Sequence, residues 1–248
     1  MLIRFFLLFY LFLTASVPAQ ELSIPTDTRQ AVVVYSQSWD HTTATMLRFE
    51  RADESADWTR VGKSVKVNLG RTGLAWGRSP LMKTPSGLKL KKEGDGRSPA
   101  GLFPILSAFG HPAPPEGYSE ANLDFLTVTD QQAVDDSKSE YYNQIVRPAE
   151  VGGVSWNSAE TMKIEVYRLG LVVGHNLPKA VPGGGSAIFF HLQTGPGETT
   201  AGCTSMTKGA LTELVLWLEK EKNPVLLQLP REELRKLGED FPSHFSHR

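Results

Sequence analysis

The residue with the clearest chemical potential is Cys203, the only cysteine of the chain, which lies in the run TAGCT (200–204). His191 lies twelve positions upstream, at the end of the apolar run AIFFH (187–191). A thiolate is a strong nucleophile, but a thiol with a pKa of roughly 8.5 is mostly protonated at neutral pH. Because an adjacent imidazole can accept that proton, this pair of residue types predicts nucleophilic catalysis through a thiol.

The predicted catalytic set consists of Cys203, His191 and Gly202. A glycine-bounded loop, residues 194–202, follows the strand of His191 and can bring Cys203 back beside it. Gly202 allows the backbone to approach a substrate closely, and the amides around Cys203 can face a developing oxyanion. These residues alone also allow a plainer interpretation, in which the cysteine is an inert small hydrophobe and the histidine is structural.

The other histidines offer weaker candidates. His175, in the turn-like run GHNLP (174–178), is a second candidate base. We expect the remaining histidines, which lie in predicted turns or in the tail, to face solvent: His41, His111, His244 and His247. One cysteine and scattered histidines lack the close-paired spacing of zinc ligands, so we expect no metal site.

Short strand-like runs dominate the predicted secondary structure. Apolar and β-branched residues predict strands over residues 31–35, 45–51, 61–69, 125–129, 164–169, 171–173 and 225–229. The first two of these strands are predicted to form a hairpin. Residues 91–103 and 109–122, which are rich in glycine and proline, are predicted loops. With 22 glycines and 16 prolines, the chain predicts one mainly β domain with many turns.

One strong helix is predicted directly after the cysteine. Thr207 is its predicted N-cap, and the Asn-Pro pair at 223–224 is its predicted end. Its apolar stripe consists of Leu211, Leu214, Val215 and Leu218. Further along the chain, residues 231–239 predict a polar surface helix and residues 240–248 a loose tail.

The N-terminus resembles an export signal. Arg4 precedes a continuously apolar stretch, residues 5–13, and the segment VPA (17–19) ends in a small residue. These features predict a signal peptide over residues 1–19, and an uncleaved N-terminal anchor is the alternative. In an exported protein cysteines mainly form disulfides, and a lone cysteine cannot form an internal one. A signal peptide would therefore favour a thiol that is kept for its reactivity.

The charge balance argues against a nucleic-acid partner. The chain carries 26 Lys and Arg against 27 Asp and Glu, a formal net charge of −1. Proteins that bind the phosphate backbone need a basic surface, and this composition does not indicate one. We therefore expect no nucleic-acid partner, and no integral membrane segment once the signal peptide is cleaved.

The run GGGSAIFFHLQTGPGETTAGCTSM (183–206) resembles the catalytic signature of the L,D-transpeptidase (YkuD-like) family. That signature is a strand with an S-x-x-F-x-H-type pattern, then a loop, then (S/T)-x-G-C. It falls on Ser186, His191, Thr200, Gly202 and Cys203. Residues 70–77, 91–105 and 135–146 also resemble segments of the secreted branch of this family, so that the resemblance covers most of residues 30–230.

This resemblance implies a β-sandwich or β-barrel catalytic domain over residues 28–230, with one main helix after the Cys203 loop, and a tail over residues 231–248. It implies a periplasmic monomer that acts on peptidoglycan stem peptides and uses no metal or cofactor. Cys203 would attack the carbonyl of an L-centre next to a D-residue and form a thioester. An amine of a second stem would then resolve the thioester into an L,D-crosslink, with His191 as general base and then general acid. Many members of the family are acylated by carbapenems.

Two other functions stay open at this point. If water resolves the thioester, the protein is an L,D-carboxypeptidase or endopeptidase that hydrolyses stem peptides. If no chemistry occurs, it is a cell-wall-binding protein that retains the fold. The intact pair of Cys203 and His191 argues against the second alternative.

The chain departs from the commonest family motif, S-H-G-C-(I/V)-R, at two positions. Ala201 replaces the histidine and Ser205 replaces the arginine, which removes a fixed cation. We therefore expect other residues to contact the substrate: Ser186, Thr200, Thr204, Ser205, Asn143, Tyr142 and Asp136, or Lys92 and Asp95. A hydrogen-bonded turn that leads into a strand is an equal explanation for the segment that holds Asp136, Tyr142 and Asn143.

Overall fold

The computed structural model describes residues 24–84 and 87–240. The predicted signal peptide (1–19) lies outside these residues, as do residues 241–248 of the predicted tail. Within them the chain is mainly β, as predicted, with one helix of ten residues after the Cys203 loop. No helix of the described ranges is long and apolar enough to cross a membrane.

The strands and helices follow one another in a simple order. The strands are β1 (Gln30–Ser36), β2 (Thr43–Glu50), β3 (Thr59–Asn68), β4 (Leu74–Trp76), β5 (Ser98–Gly110), β6 (Phe125–Thr127), β7 (Gln132–Val134), β8 (Ile145–Val146), β9 (Ala159–Thr161), β10 (Leu169–Val173), β11 (Phe189–Leu192), β12 (Thr204–Met206) and β13 (Val225–Pro230). The α-helices are α1 (Lys208–Trp217) and α2 (Arg231–Leu234). Short 3-10 helices span Pro148–Val151, Glu165–Tyr167, Lys220–Lys222 and Arg235–Asp240.

In the described part of the chain, eight strands close into a ring. Their order is β10-β11-β12-β3-β2-β1-β13-β5, and β5 pairs back with β10. The hairpin of β1 and β2 is antiparallel, as predicted. β13 runs parallel to β1 and antiparallel to β5, so the last strand of the described residues lies between two earlier ones. Fully buried aliphatic and aromatic side chains fill the core, including Val33, Leu102 and Phe190.

A second, three-stranded sheet has the order β8-β7-β9 and lies beside this ring. The side chain of Trp156 packs against this sheet. The Nε1–H of Trp156 donates a hydrogen bond to Gln132 Oε1 at 2.9 Å, and the Trp156 ring contacts the ring of Tyr141. Ala133 of this sheet packs in one buried cluster with Phe189 and Cys203. The small sheet therefore covers the region in which the catalytic set lies.

The predicted loop over residues 91–103 is wrong at its C-terminal end. β5 begins at Ser98 and runs for thirteen residues, although it contains Pro99, Gly101 and Pro104. Proline cannot donate a ladder hydrogen bond, and glycine weakens a strand, so the sequence pattern favoured a loop. Burial outweighs these local preferences, because Ala100, Leu102 and Phe103 have no exposed surface.

Two other element predictions need correction. The predicted strand 164–169 is a 3-10 turn over Glu165–Tyr167, and the strand begins only at Leu169. Helix α1 starts after Thr207, whose side chain accepts a hydrogen bond from Ala210 N–H as predicted. The helix ends at Trp217, well before the predicted Asn-Pro stop, because Leu218 adopts an extended ψ of 130°.

Candidate active site

Strands β11 and β12 bring the predicted nucleophile and base together. They are parallel neighbours, with Phe190 opposite Thr204 and His191 opposite Ser205. Cys203 directly precedes β12, so it lies beside Phe189, two residues before His191. Side chains two apart on a strand point to the same face of the sheet, so the register places the thiol and the imidazole on one face.

The thiol of Cys203 is buried and protonated at rest. Its Sγ–H donates to the carbonyl oxygen of Ala187, and Sγ accepts from the N–H of Phe189, each at 3.3 Å. Burial and the charge of Glu160 raise the pKa of this thiol to about 12, against the Phe189 hydrogen bond and the charge of Lys91, which lower it. The protein therefore holds a neutral thiol at neutral pH rather than a preformed thiolate.

His191 is neutral and presents a free ring nitrogen. Its Nδ1 lies 2.8 Å from the carbonyl oxygen of Leu192. A carbonyl only accepts hydrogen bonds, so Nδ1 carries the proton and Nε2 carries the lone pair. Burial lowers the pKa of His191 below its usual 6.5. Within the described residues the thiol and the imidazole do not hydrogen bond to each other: each is held by a backbone carbonyl instead.

Two hydroxyl groups hold the backbone of the nucleophile. Ser98 Oγ and Thr200 Oγ1 both donate to the carbonyl oxygen of Cys203, at 3.0 and 2.6 Å. Thr200 Oγ1 also accepts from Gly202 N–H at 3.1 Å, and Ser98 Oγ accepts from Gly70 N–H at 2.9 Å. The carbonyl of Cys203 and the N–H groups of Gly202 and Gly70 are thereby fixed in direction.

We expect Ser98→Ala to lower both stability and acylation rate. The buried Gly70 N–H loses its acceptor and the Cys203 carbonyl loses a donor, which should cost about 1–3 kcal/mol in free energy of unfolding. Urea denaturation measures this loss. Ser64→Ala, at an exposed position of β3, is the matched control and should leave the free energy of unfolding unchanged.

A buried lysine that the sequence interpretation missed lies behind the Cys203 loop. Lys91 is only 2% exposed, and its Nζ donates to Asp95 Oδ1 at 3.1 Å. A Cβ at position 202 would lie 3.2 Å from Nζ, and one at position 185 would lie 2.9 Å from Lys91 Cε. Gly202 and Gly185 therefore make the room that this side chain fills, and the ammonium lies directly behind the peptide that precedes the nucleophile.

Lys92 and Asp95, proposed from sequence as substitutes for the absent arginine, have different surroundings. Asp95 accepts from Lys91 and from the N–H groups of Lys92 and Arg97. These hydrogen bonds lower the pKa of Asp95, although burial opposes them. The side chain of Lys92 is exposed. The fixed cation next to the nucleophile is thus Lys91, one residue before the predicted one.

Three of the predicted substrate-binding residues shape the segment that leads into β11. Ser186 Oγ and Tyr142 OH both donate to Glu93 Oε2, at 2.7 and 2.6 Å. Asn143 donates through Nδ2 to the carbonyl of His175 and accepts through Oδ1 from Ala187 N–H. These contacts set the direction of the segment whose carbonyl at Ala187 holds the thiol. Their role in binding substrate stays a prediction.

Thr204, Ser205 and Asp136 also have partners within the protein. Thr204 Oγ1 donates to Gln228 Oε1 at 2.9 Å, and Ser205 is 1% exposed beside Asn68. Asp136 accepts from the N–H of Lys138, which is the hydrogen-bonded turn expected from sequence. Their substrate contacts likewise stay predictions.

His175, the second candidate base, lies away from the thiol. It is 1% exposed, and its Nε2 donates to the carbonyl oxygen of Gly184 at 3.1 Å. Burial, together with the charge of Lys91, lowers the pKa of His175 to about 3. His175 therefore stays neutral and anchors the glycine segment before Ser186.

Two further residues next to the thiol were missed from sequence, Tyr167 and Glu160. The ring of Tyr167 packs edge-on against His191, with centroids 5.4 Å apart, and against Phe189 at 5.5 Å. Its hydroxyl donates a short hydrogen bond to Glu160 Oε2. Neither residue lies in a recognisable motif, and only the 3-10 turn at Tyr167 and the pairing of β9 bring them to the site.

Comparison with protein families agrees with this geometry. The chain matches the YkuD family, described as the L,D-transpeptidase catalytic domain, over residues 40–227. This range contains the closed ring of strands, apart from β1 and the last three residues of β13, and the whole of the site. Comparisons with curated proteins and with solved structures give no match.

Proposed function

Because the chain belongs to the L,D-transpeptidase catalytic-domain family, we propose that it is a periplasmic cysteine L,D-transpeptidase. It would act on peptidoglycan stem peptides through a thioester on Cys203. The observation that carries this proposal is the parallel pairing of β11 and β12, which sets a buried thiol and a neutral imidazole with a free Nε2 on one face. The periplasmic location rests on the export signal predicted over residues 1–19.

The first half of the proposed reaction acylates the thiol. As the donor carbonyl approaches, Sγ–H leaves Ala187 and passes its proton to His191 Nε2, and sulfur attacks the carbonyl carbon. The N–H of Gly202 is already bound to Thr200, which leaves the N–H of Cys203 to stabilise the oxyanion. Collapse of the tetrahedral intermediate breaks the C–N bond, and His191 returns the proton to the departing D-amino acid.

The second half resolves the thioester. The amine of a second stem attacks the same carbonyl carbon, the C–N bond forms and the C–S bond breaks. His191 accepts a proton from the attacking amine and delivers it to the departing sulfur, which restores the neutral thiol. Water in place of the amine would give a shortened stem by the same steps.

The proposed function is tested by the products formed from purified tetrapeptide-stem muropeptides. Mass spectrometry after incubation with the protein should show crosslinked dimers and free D-alanine. Shortened stems without dimers would instead support the carboxypeptidase or endopeptidase alternative. An unchanged muropeptide profile would contradict both enzyme functions and leave the wall-binding alternative.

We expect Lys91→Met to make the thiol less reactive. The buried ammonium lowers the pKa of Cys203, so its removal should raise that pKa and slow alkylation by iodoacetamide at pH 8 about tenfold per pKa unit. Because the substitution removes the ion-pair partner of Asp95, the double variant with Asp95→Asn serves to check folding. The matched control is Lys92→Met, which removes an exposed cation from the adjacent position and should alkylate at the wild-type rate. Equal rates in both variants would contradict the role of Lys91.

A further inference from the structure

Glu160 places a carboxylate near both predicted catalytic groups, connected to them through Tyr167 and Phe189. It lies in β9 of the small sheet, opposite Ala133 of β7. Its Oε2 accepts from Tyr167 OH, and the ring of Tyr167 contacts the rings of His191 and Phe189. Phe189 in turn donates its N–H to Cys203 Sγ. The carboxylate is therefore connected to His191 through Tyr167, and to Cys203 through Tyr167 and Phe189.

The charge of this carboxylate works against the first half of the reaction. Glu160 raises the pKa of the Cys203 thiol and so opposes its ionisation. A neutral side chain at this position would favour acylation. Acylation therefore does not explain why a negative charge lies near Cys203. The second half of the reaction offers an explanation, because the amine of the second stem reaches the site as an ammonium ion.

The carboxylates around Glu160 strengthen its attraction for a cation. Burial raises the pKa of Glu160, and the charges of Asp135 and Glu93 raise it further. Asp135 Oδ1 is buried and has no hydrogen-bond partner among the described residues. The buried cation Lys91 does not neutralise these carboxylates, because it is already paired with Asp95. A buried carboxylate oxygen without a partner is costly, and an ammonium group at this place would relieve that cost.

We propose that Glu160 binds and deprotonates the ammonium of the second stem, and so directs the Cys203 thioester toward transfer rather than hydrolysis. This inference rests on the proposed function. One proton passes from the ammonium to the Glu160 carboxylate, and the neutral amine attacks the thioester carbon. A second proton of the amine passes through His191 to the departing sulfur, the third stays on the new amide nitrogen, and Glu160 later releases its proton to solvent. Glu160 is half-buried rather than sealed, which gives the amine access.

The test compares wild type with Glu160→Gln on tetrapeptide muropeptides at several acceptor concentrations. Intact-protein mass spectrometry follows thioester formation, and product analysis gives the ratio of dimers to shortened stems. In Glu160→Gln we expect this ratio to fall about tenfold or more, the order of effect of a lost proton acceptor, with a higher KM for the acceptor. Thioester formation should not slow, and alkylation of Cys203 by iodoacetamide should be faster because a negative charge has been removed.

The controls separate this role from a structural one. Glu165→Gln removes an exposed carboxylate from the same region and should keep the wild-type product ratio. If circular dichroism shows that Glu160→Gln does not fold, Tyr167→Phe decides, because it keeps the carboxylate but removes the hydroxyl that orients it and should lower the ratio in the same direction. An unchanged ratio, or an equal loss of thioester and dimer, would overturn the inference. A wild-type protein that forms no thioester, or that never transfers its thioester to an amine, would refute the proposed function. A wild-type protein that forms dimers, together with an unchanged ratio in Glu160→Gln, would refute the inference alone.

Discussion

Cys203→Ala is expected to abolish every covalent adduct of the protein and to reduce turnover of tetrapeptide stems by at least about 10³-fold. Alanine has no group that can form the thioester, so no alternative route through this site remains. Intact-protein mass spectrometry after incubation with a carbapenem measures the adduct directly. The wild-type protein should gain the mass of one carbapenem, and the variant should gain none.

Folding of Cys203→Ala should be unimpaired, which makes the loss interpretable. The side chain is small, and alanine leaves one sulfur-sized gap next to Phe189. The folded state keeps the thiol protonated up to a pKa of about 12, whereas the unfolded state ionises near roughly 8.5. The contribution of the raised pKa to stability is therefore complete below pH ~8.5 and is lost as pH rises toward 12. The variant should show a smaller alkaline loss of stability, and a carbapenem adduct on it would refute Cys203 as the acylated residue.

His191→Ala is expected to slow acylation by about 10²–10⁴-fold while the fold is retained. The reason is that a thiol with a pKa of about 12 supplies almost no thiolate at neutral pH, so attack depends on a base that takes the proton during the reaction. Stopped-flow acylation by a carbapenem measures the rate. A wild-type rate in this variant would remove the assigned role of His191.

The pH dependence of acylation also tests whether His191 accepts the thiol proton. Protonation of His191 stops proton transfer, and burial places its pKa below 6.5. The acid limb of the wild-type rate should therefore lie below pH 6.5, and His191→Ala should lack this limb. Alkylation of the wild-type thiol should keep rising with pH through pH ~9, since its pKa lies far above. An alkylation rate of the wild-type thiol that stays constant from pH 6.5 to pH ~9 would instead indicate a preformed ion pair of thiolate and imidazolium.

The fold class and the proximity of Cys203 to His191 could be predicted from sequence because the signals are local. Residues 31–35 and 225–229 are runs of β-branched and aliphatic residues, and both lie in strands of the ring. Thr207 caps the helix as its position before the apolar stripe predicts. The apolar run that ends at His191 predicts a strand, and the glycines that follow it predict a loop that returns the chain to Cys203.

Other parts of the site could not be predicted because they depend on contacts between distant segments. Ser98 reaches Cys203 only because β5 runs through a segment rich in proline and glycine. Lys91 appears as an ordinary charged residue in sequence, and only the space at Gly185 and Gly202 shows that it is buried. Glu160 lies near the site only because β9 pairs with β7 in the small sheet, and no hydrophobic periodicity of the sequence indicates this pairing.

The position of β13 has a consequence for how the protein comes to be active. β13 is the last strand in the part of the chain that the structure describes, yet it lies between β1 and β5 and completes the ring. Until residues 225–230 are synthesised, β1 and β5 each present an unpaired edge, and such edges invite association with other chains. Because β11 and β12 belong to the same ring, the strands beside Cys203 and His191 become part of a closed framework only when β13 pairs with β1 and β5. The C-terminal strand of the described residues thus completes the framework that holds the candidate site.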